Sequence, residues 1–290
     1  MGRLLERWLP KLVVSPLFAV SLFFVYGFIA WTVYISFTRS GILPNYDFAG
    51  LIQYVRLWHT PRWYVALTNL FVFSILFIGV CTALGMFLAI LLDQRVRAEG
   101  AIRTIFLYPM ALSFIVTGTA WKWILNPGLG LEKVVHDLGF TDFRFDWLVN
   151  PHMAIYTVVI AGVWQSSGYA MALFLAGLRS VDDDILKAAA IDGAGPWRTY
   201  TRIILPNLRP VFLSVFIILA HLSIKSFDLV IALTNGGPGY ATDMPATFMY
   251  SFAFQRSELG TAAASAVMML ATILAIIVPY LYSELRETNR

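Results

Sequence analysis

The chain has 290 residues, 59% of them hydrophobic and 13% charged, with a formal net charge of +4. A soluble globular domain carries about 25% charged residues, so this composition excludes the soluble classes and indicates an integral membrane protein. The one cysteine, Cys81, rules out an intrachain disulfide. The modest positive balance speaks to topology and anionic lipid before nucleic acid.

Six apolar stretches follow one another, at 12–37, 64–92, 104–125, 152–178, 210–234 and 260–283. Each is longer than the about 20 residues a helix needs to cross about 30 Å of hydrocarbon. The expected fold is therefore an all-α integral membrane protein of six transmembrane helices, a single domain over 1–290. The first stretch has too long an apolar core for a signal peptide and no small-residue cleavage site, so it is read as a retained span. Lys and Arg set the orientation. Thirteen lie on the side holding both termini, 93–103 and 179–209, against six in the opposite loops. The positive-inside rule then puts both termini and the 179–209 loop in the cytoplasm. Small residues four apart, such as Gly85 and Ala89, permit close helix contact.

The three opposite loops are each about 25 residues, long for mere connectors. The second, 126–150, mixes Asp137, Asp142 and Asp146 with Phe140, Phe143, Phe145 and Trp147. Such a surface suits a water-soluble partner or a lid.

Residues 187–210, KAAAIDGAGPWRTYTRIILPNLRP, form a polar, basic island between apolar stretches. Two short helices are predicted, broken at Asp192-Gly193. Ser180 and Asp182 to Asp184 supply capping and first-turn acid for the first. Pro196 suits the opening of the second, and Pro206 and Pro210 are expected to end it. Trp197, Tyr200 and Ile204 would make one apolar stripe, with Arg198 and Arg202 on another face. Physically, such a segment either lies on an anionic membrane surface or docks a partner.

Few polar groups fall at membrane depth. Lys225 and Asp228 are three apart, so they either pair along one helix or face a solute path. Gln165, Ser166, Ser167 and Tyr169 follow Trp164 in the fourth stretch, and Asn69 lies in the second. Amides and hydroxyls beside an aromatic ring suit a neutral sugar, and equally suit interhelical hydrogen bonds. Gly236, Gly237 and Pro238 mark a sharp turn after the fifth stretch. There is no G-x-x-x-x-G-K-[ST] loop for ATP and no Cys/His pattern for a metal. No nucleophile, base and metal converge as an intramembrane enzyme would require.

Two motifs carry a resemblance. Ala188, Ala189, Asp192, Gly193, Ile203, Leu205, Pro206 and Pro210 resemble the "EAA" loop of ABC-importer permeases, with Lys187 standing where that family usually has Glu. The block FDLVIALTNGGPG … YSFAF … GTAAA, from Phe227 to Ala264, resembles carbohydrate-importer permeases of the maltose type, with Val230 for the usual isoleucine. FAGLIQYVRL at 48–57 resembles that family's first outside loop. The chain as a whole looks most like the glucose/mannose-type permeases.

The resemblance implies a non-catalytic permease subunit of an ATP-driven, binding-protein-dependent sugar importer, for a hexose such as glucose or mannose. It implies a second, different permease, two ATPase subunits and an extracytoplasmic sugar-binding protein as partners, all set in lipid, and no nucleic acid. ATP and Mg would sit on the ATPases, with no cofactor in this chain. The location implied is a bacterial cell (inner) membrane. The Lys187–Pro206 loop would couple to the ATPases, and Asn69, Gln165, Ser166, Tyr169, Lys225 and Asp228 are the candidate solute path. The rival reading is an ion-coupled secondary carrier for a small polar solute, needing no ATPase.

Overall fold

The computed structural model describes residues 2–94 and 97–288. Arg95 and Arg290, counted above for topology, lie outside them. Among the described residues the regular structure is helical, apart from one isolated bridge between Thr38 and Phe48.

In chain order the helices are α1 (Gly2–Ser36), α2 (Ile52–Trp58), α3 (Pro61–Asp93), α4 (Glu99–Leu107), α5 (Phe114–Ile124), α6 (Leu131–Asp137), α7 (Ala154–Leu178) and α8 (Asp183–Ile191). They continue with α9 (Pro196–Thr199), α10 (Leu205–Asn207), α11 (Arg209–Ile224), α12 (Asp228–Leu233), α13 (Pro245–Tyr250) and α14 (Leu259–Thr288). Single π turns sit at Tyr200–Ile204 and Ser251–Gln255.

Four of these helices are long and apolar enough to cross a membrane unbroken: Val13–Ser36, Pro61–Asp93, Ala154–Leu178 and Leu259–Tyr280. They match the first, second, fourth and sixth stretches. The third and fifth differ from the expectation of straight spans. The third is a pair of segments, Glu99–Ala111 and Phe114–Ile124, bent by 99°. Pro109 sits in a 3-10 turn at Tyr108–Ala111, Leu112 is extended, and the Ser113 hydroxyl caps α5 by accepting the Val116 N–H at 3.3 Å. A proline that cannot continue the hydrogen-bond ladder and a serine that starts a new one make the break local. The fifth stretch stops at Ile224. Lys225–Phe227 interrupt it, and α12 begins at Asp228. A six-span reading counts two bent pairs as one span each, Glu99–Ala111 with Phe114–Ile124 and Trp197–Asn207 with Arg209–Ile224.

The chain divides into two compact units. One comprises residues 1–61 and 248–271, the other 62–247 and 272–290. In the first, Gln53 donates to the Thr38 carbonyl at 2.7 Å and accepts from Thr261 at 3.0 Å, which ties α2 to the start of α14. In the second, α7 is the central element, with Val158, Ala170, Met171 and Phe174 fully buried. Its small residues allow backbones to approach. A Cβ on Gly85 of α3 would lie 2.7 Å from the Ala170 Cβ, so only glycine fits at that crossing. The small-residue pattern predicted close contact of this kind.

Candidate functional site

The 179–210 segment is an elbow built from local signals. The Asp182 carboxylate caps α8 by accepting the Asp184 N–H at 2.9 Å. Ser180 takes no part in that cap; its hydroxyl donates to the Gly177 carbonyl at 2.8 Å and closes α7 instead. At the other end Asp192 is the C-cap and Gly193 has φ +73°. The Gly193 N–H bonds the Ala190 carbonyl at 3.1 Å, and the Ala194 N–H bonds the Ala189 carbonyl at 2.9 Å. This pair of bonds is a Schellman closure, which needs the left-handed residue that glycine supplies without strain.

Beyond the break the elbow departs from expectation. The π turn at Tyr200–Ile204 widens the helix, so side chains shift out of 3.6-residue phase. Ile204 is buried, Tyr200 is half-buried, and Trp197 is 82% exposed, so the three form no single stripe. The helical run Trp197–Asn207 ends between Pro206 and Pro210 as expected, with Pro206 in its last turn and Pro210 in the first turn of α11. The chain bends by 63° at Leu208. Proline suits a first helical turn, where its missing N–H has no partner to lose.

The outer face of the elbow carries Ile191, 86% exposed, with Trp197, Arg198 and Arg202. Lys187 and Ala188 are exposed, Ala189 is buried, and Ile203 and Leu205 are half-buried. Lys187 bonds Asp184 one turn back at 2.8 Å, a solvent-exposed pair of little energetic weight. Three contacts tie the elbow region to the end of α3 and the start of α4. Gln94 donates to the Tyr200 hydroxyl at 3.0 Å, and Arg179 reaches Glu99 at 2.9 Å and Asp93 at 3.8 Å. The hydrogen bond that Arg179 donates to Glu99 raises the guanidinium above its ordinary range.

The candidate path residues separate into two places. Gln165 donates to the Leu112 carbonyl at 2.7 Å, bridging the break before α5. Its Oε1 is buried with no hydrogen-bond partner. Ser166 is buried beside it in sequence and Tyr169 is half-buried. Lys225 and Asp228 flank the second break and make no ion pair with each other. The expected pairing along one helix fails because the helix ends between them. They line a cavity of about 90 Å³ with Phe114 and Ser226. Phe114 opens α5 two residues after Leu112, so both breaks converge on the start of that helix. Asn69 lies elsewhere: it donates to the Ala241 and Asp243 carbonyls, each at 2.9 Å.

Those carbonyls belong to the turn after α12. Gly236 and Gly239 have φ +81° and +61°. Thr242 bonds Thr234 at 2.7 Å and donates to the Gly237 carbonyl at 3.0 Å. Sequence reasoning missed the pair that anchors this turn. Arg62 Nε donates to Asp243 Oδ2 at 2.6 Å and Nη2 to Oδ1 at 3.3 Å. Thr247 donates to the same carboxylate at 2.6 Å, and the Arg62 guanidinium lies 4.2 Å from the Tyr240 ring centre. The partners are 181 residues apart, and the only sequence signal was an acid beside a glycine-rich turn.

Among the described residues no three His, Cys, Asp or Glu gather as metal ligands. What the geometry does offer is a capped, exposed elbow and a bundle interrupted at two breaks that meet at the start of α5. Residues 81–287 match the family described as binding-protein-dependent transport system inner membrane component. The chain belongs to this family. Among its relatives, one described as a probable ABC transporter permease protein of Pyrococcus horikoshii is 41% identical, over 92% of each chain. The xylose/arabinose import permease protein XacH of Haloferax volcanii is 40% identical over 91% of this chain and 84% of its own. The fold is that of a bacterial alginate ABC transporter solved in complex with an alginate pentasaccharide-bound periplasmic protein. The TM-score is 0.81 at 22% identity, covering 96% of this chain and 94% of the other. As a permease of this family the chain is a transport component and not an enzyme.

Proposed function

We propose that this chain is one permease subunit of an ATP-driven importer of sugar, and that its solute is a hexose such as glucose or mannose. The observation that carries the reading is the capped, exposed elbow between Asp182 and Leu208, set in a member of a binding-protein-dependent transport family. Exposed Ile191 and Trp197 flanked by arginines are the composition of a protein-docking face. Lys187, Ala188, Ala189, Asp192, Gly193, Ile203, Leu205 and Pro206 shape that face, and two ATPase subunits carrying ATP and Mg press on it. A second, different permease completes the path, and an extracytoplasmic sugar-binding protein delivers the solute. The complex sits in the cell (inner) membrane, with both termini and the elbow cytoplasmic, as the Lys and Arg bias supports.

Transport follows as alternating access. The elbow is stiffened by its caps, so movement of the ATPases reaches α8 and α11 without being absorbed locally. The bundle gives at its two breaks, where Gln165 supports one and Lys225 and Asp228 flank the other. On this reading these side chains, with Ser166 and Tyr169, meet sugar hydroxyls when the breaks open; Asn69 serves the outer turn.

The test is reconstitution with the candidate partners in proteoliposomes. Uptake should require ATP hydrolysis and survive dissipation of the proton gradient. Proton-driven uptake by this chain alone would establish the ion-coupled carrier instead.

A further inference from the structure

The unit formed by residues 1–61 and 248–271 holds a polar pocket of about 290 Å³ that the transport cycle above does not use. Its walls come from two distant segments: Arg39 to Gly41 with Ile52, Gln53 and Arg56, and Ser257, Glu258 and Thr261. The floor is fixed. The Gln53 amide is spent on the Thr38 carbonyl and the Thr261 hydroxyl, at 2.7 and 3.0 Å. Beside it Gly260 leaves no room for a side chain, since a Cβ there would lie 2.7 Å from the Thr38 carbonyl and from Gln53 Nε2. The mouth is cationic. Arg56 reaches Glu258 at 3.1 Å, while Arg39 is exposed.

The chemistry narrows the occupant. Two guanidiniums against one carboxylate leave a single positive charge, which excludes a cation and matches a monoanion. No lining residue is aromatic, so a sugar has no ring to stack on. The volume is at the lower edge of ligand pockets, about 300 Å³, and suits one acidic side chain. A planar arginine fork fits a carboxylate in two-point contact. Around the mouth Ile42, Leu43, Phe48 and Leu51 are exposed on an irregular segment. Apolar side chains mixed with arginine are typical of a protein–protein face.

We propose that this pocket is a socket for an Asp or Glu side chain on the extracytoplasmic solute-binding protein, with Arg39 as the receiving cation. The assignment rests on the functional reading above, which sets 37–60 and 251–258 on the outer side. Seated there, the acid would pair with Arg39 and add to the Arg56–Glu258 pair. The association would be steered by charge and weakened by salt.

The test uses the complete complex in nanodiscs, with ATPase stimulation titrated by the solute-loaded binding protein that activates the unaltered complex. Arg39→Glu should raise the half-maximal binding-protein concentration at least tenfold at unchanged maximal rate. Arg39→Gln should raise it less, and Arg39→Lys should restore part of the loss. Raising salt should weaken the unaltered complex and leave Arg39→Glu nearly unmoved. Arg39 is exposed, and a monodisperse complex with unchanged basal ATPase activity confirms that folding is intact. A half-maximal concentration within twofold of the unaltered value overturns the socket. So does a lower maximal rate at unchanged half-maximal concentration, which would assign Arg39 to translocation. Failure of the unaltered complex to respond to any binding protein and ATP refutes the functional reading itself, before any variant is compared.

Discussion

Asp243 has 1% of its side chain exposed and Arg62 13%, and the two meet at 2.6 Å. Asp243→Ala would take the counter-charge from a guanidinium in a low-dielectric setting, leaving the Tyr240 ring beside it, and would also remove the acceptor of the Thr247 hydroxyl. Stranding one partner of a buried pair costs about 3–5 kcal/mol, because the survivor has lost its solvent and its counter-charge together. The Arg62→Ala and Asp243→Ala double variant strands neither charge. It should therefore cost less than the two single changes added, by about 2 kcal/mol. Unfolding of the purified chain by SDS titration in mixed micelles, followed by tryptophan fluorescence, measures each corner of the cycle. The exposed Lys187–Asp184 pair, with side chains 69% and 84% exposed, is the internal control and should couple by no more than about 0.5 kcal/mol. Additive costs at Arg62 and Asp243, each under about 1 kcal/mol, would refute the reasoning: the turn would then be held without its charge pair.

Three further outcomes are expected. Gly193→Ala should strain the left-handed position by about 1–2 kcal/mol, and Gly193→Pro or Asp192→Lys should uncouple ATP hydrolysis from uptake while membrane insertion stays normal; full coupling in all three would remove the elbow from the mechanism. Gln165→Leu should leave the Leu112 carbonyl unpaired at a cost of about 1–3 kcal/mol and slow uptake, measured by SDS titration and by transport assay on the same preparation. Lys225→Ala and Asp228→Asn should change the rate or the sugar preference of uptake, and unaltered kinetics for both would return the second break to a purely structural role.

The two breaks show where reading the sequence stops. Pro109 and Ser113 were present as breaker and cap, yet an apolar run of sufficient length reads as one span, because hydropathy averages over the interruption. Asp228 follows Lys225 at helical spacing, and only the end of α11 at Ile224 separates them. The carbonyls freed at such a break need partners, and the partner of Leu112 lies 53 residues away on α7. No local pattern announces a bond of that kind. The elbow is the opposite case. Its cap at Asp182 and its left-handed glycine at 193 use residues within a turn or two, so both were legible; its π turn was not, and the stripe through Trp197 failed with it.

By itself the sequence determined the membrane class, the four unbroken spans, the elbow's caps and the family motifs. All of these depend on composition or on interactions across a few residues. Tertiary structure decided which polar side chains hold the fold and which stand free. Arg62 with Asp243, Asn69 with the turn carbonyls and Gln165 with Leu112 each satisfy a buried group from a remote helix. Inside a membrane a buried polar atom is costly until it finds a partner, and the partner is chosen by how helices pack, which chain order does not record.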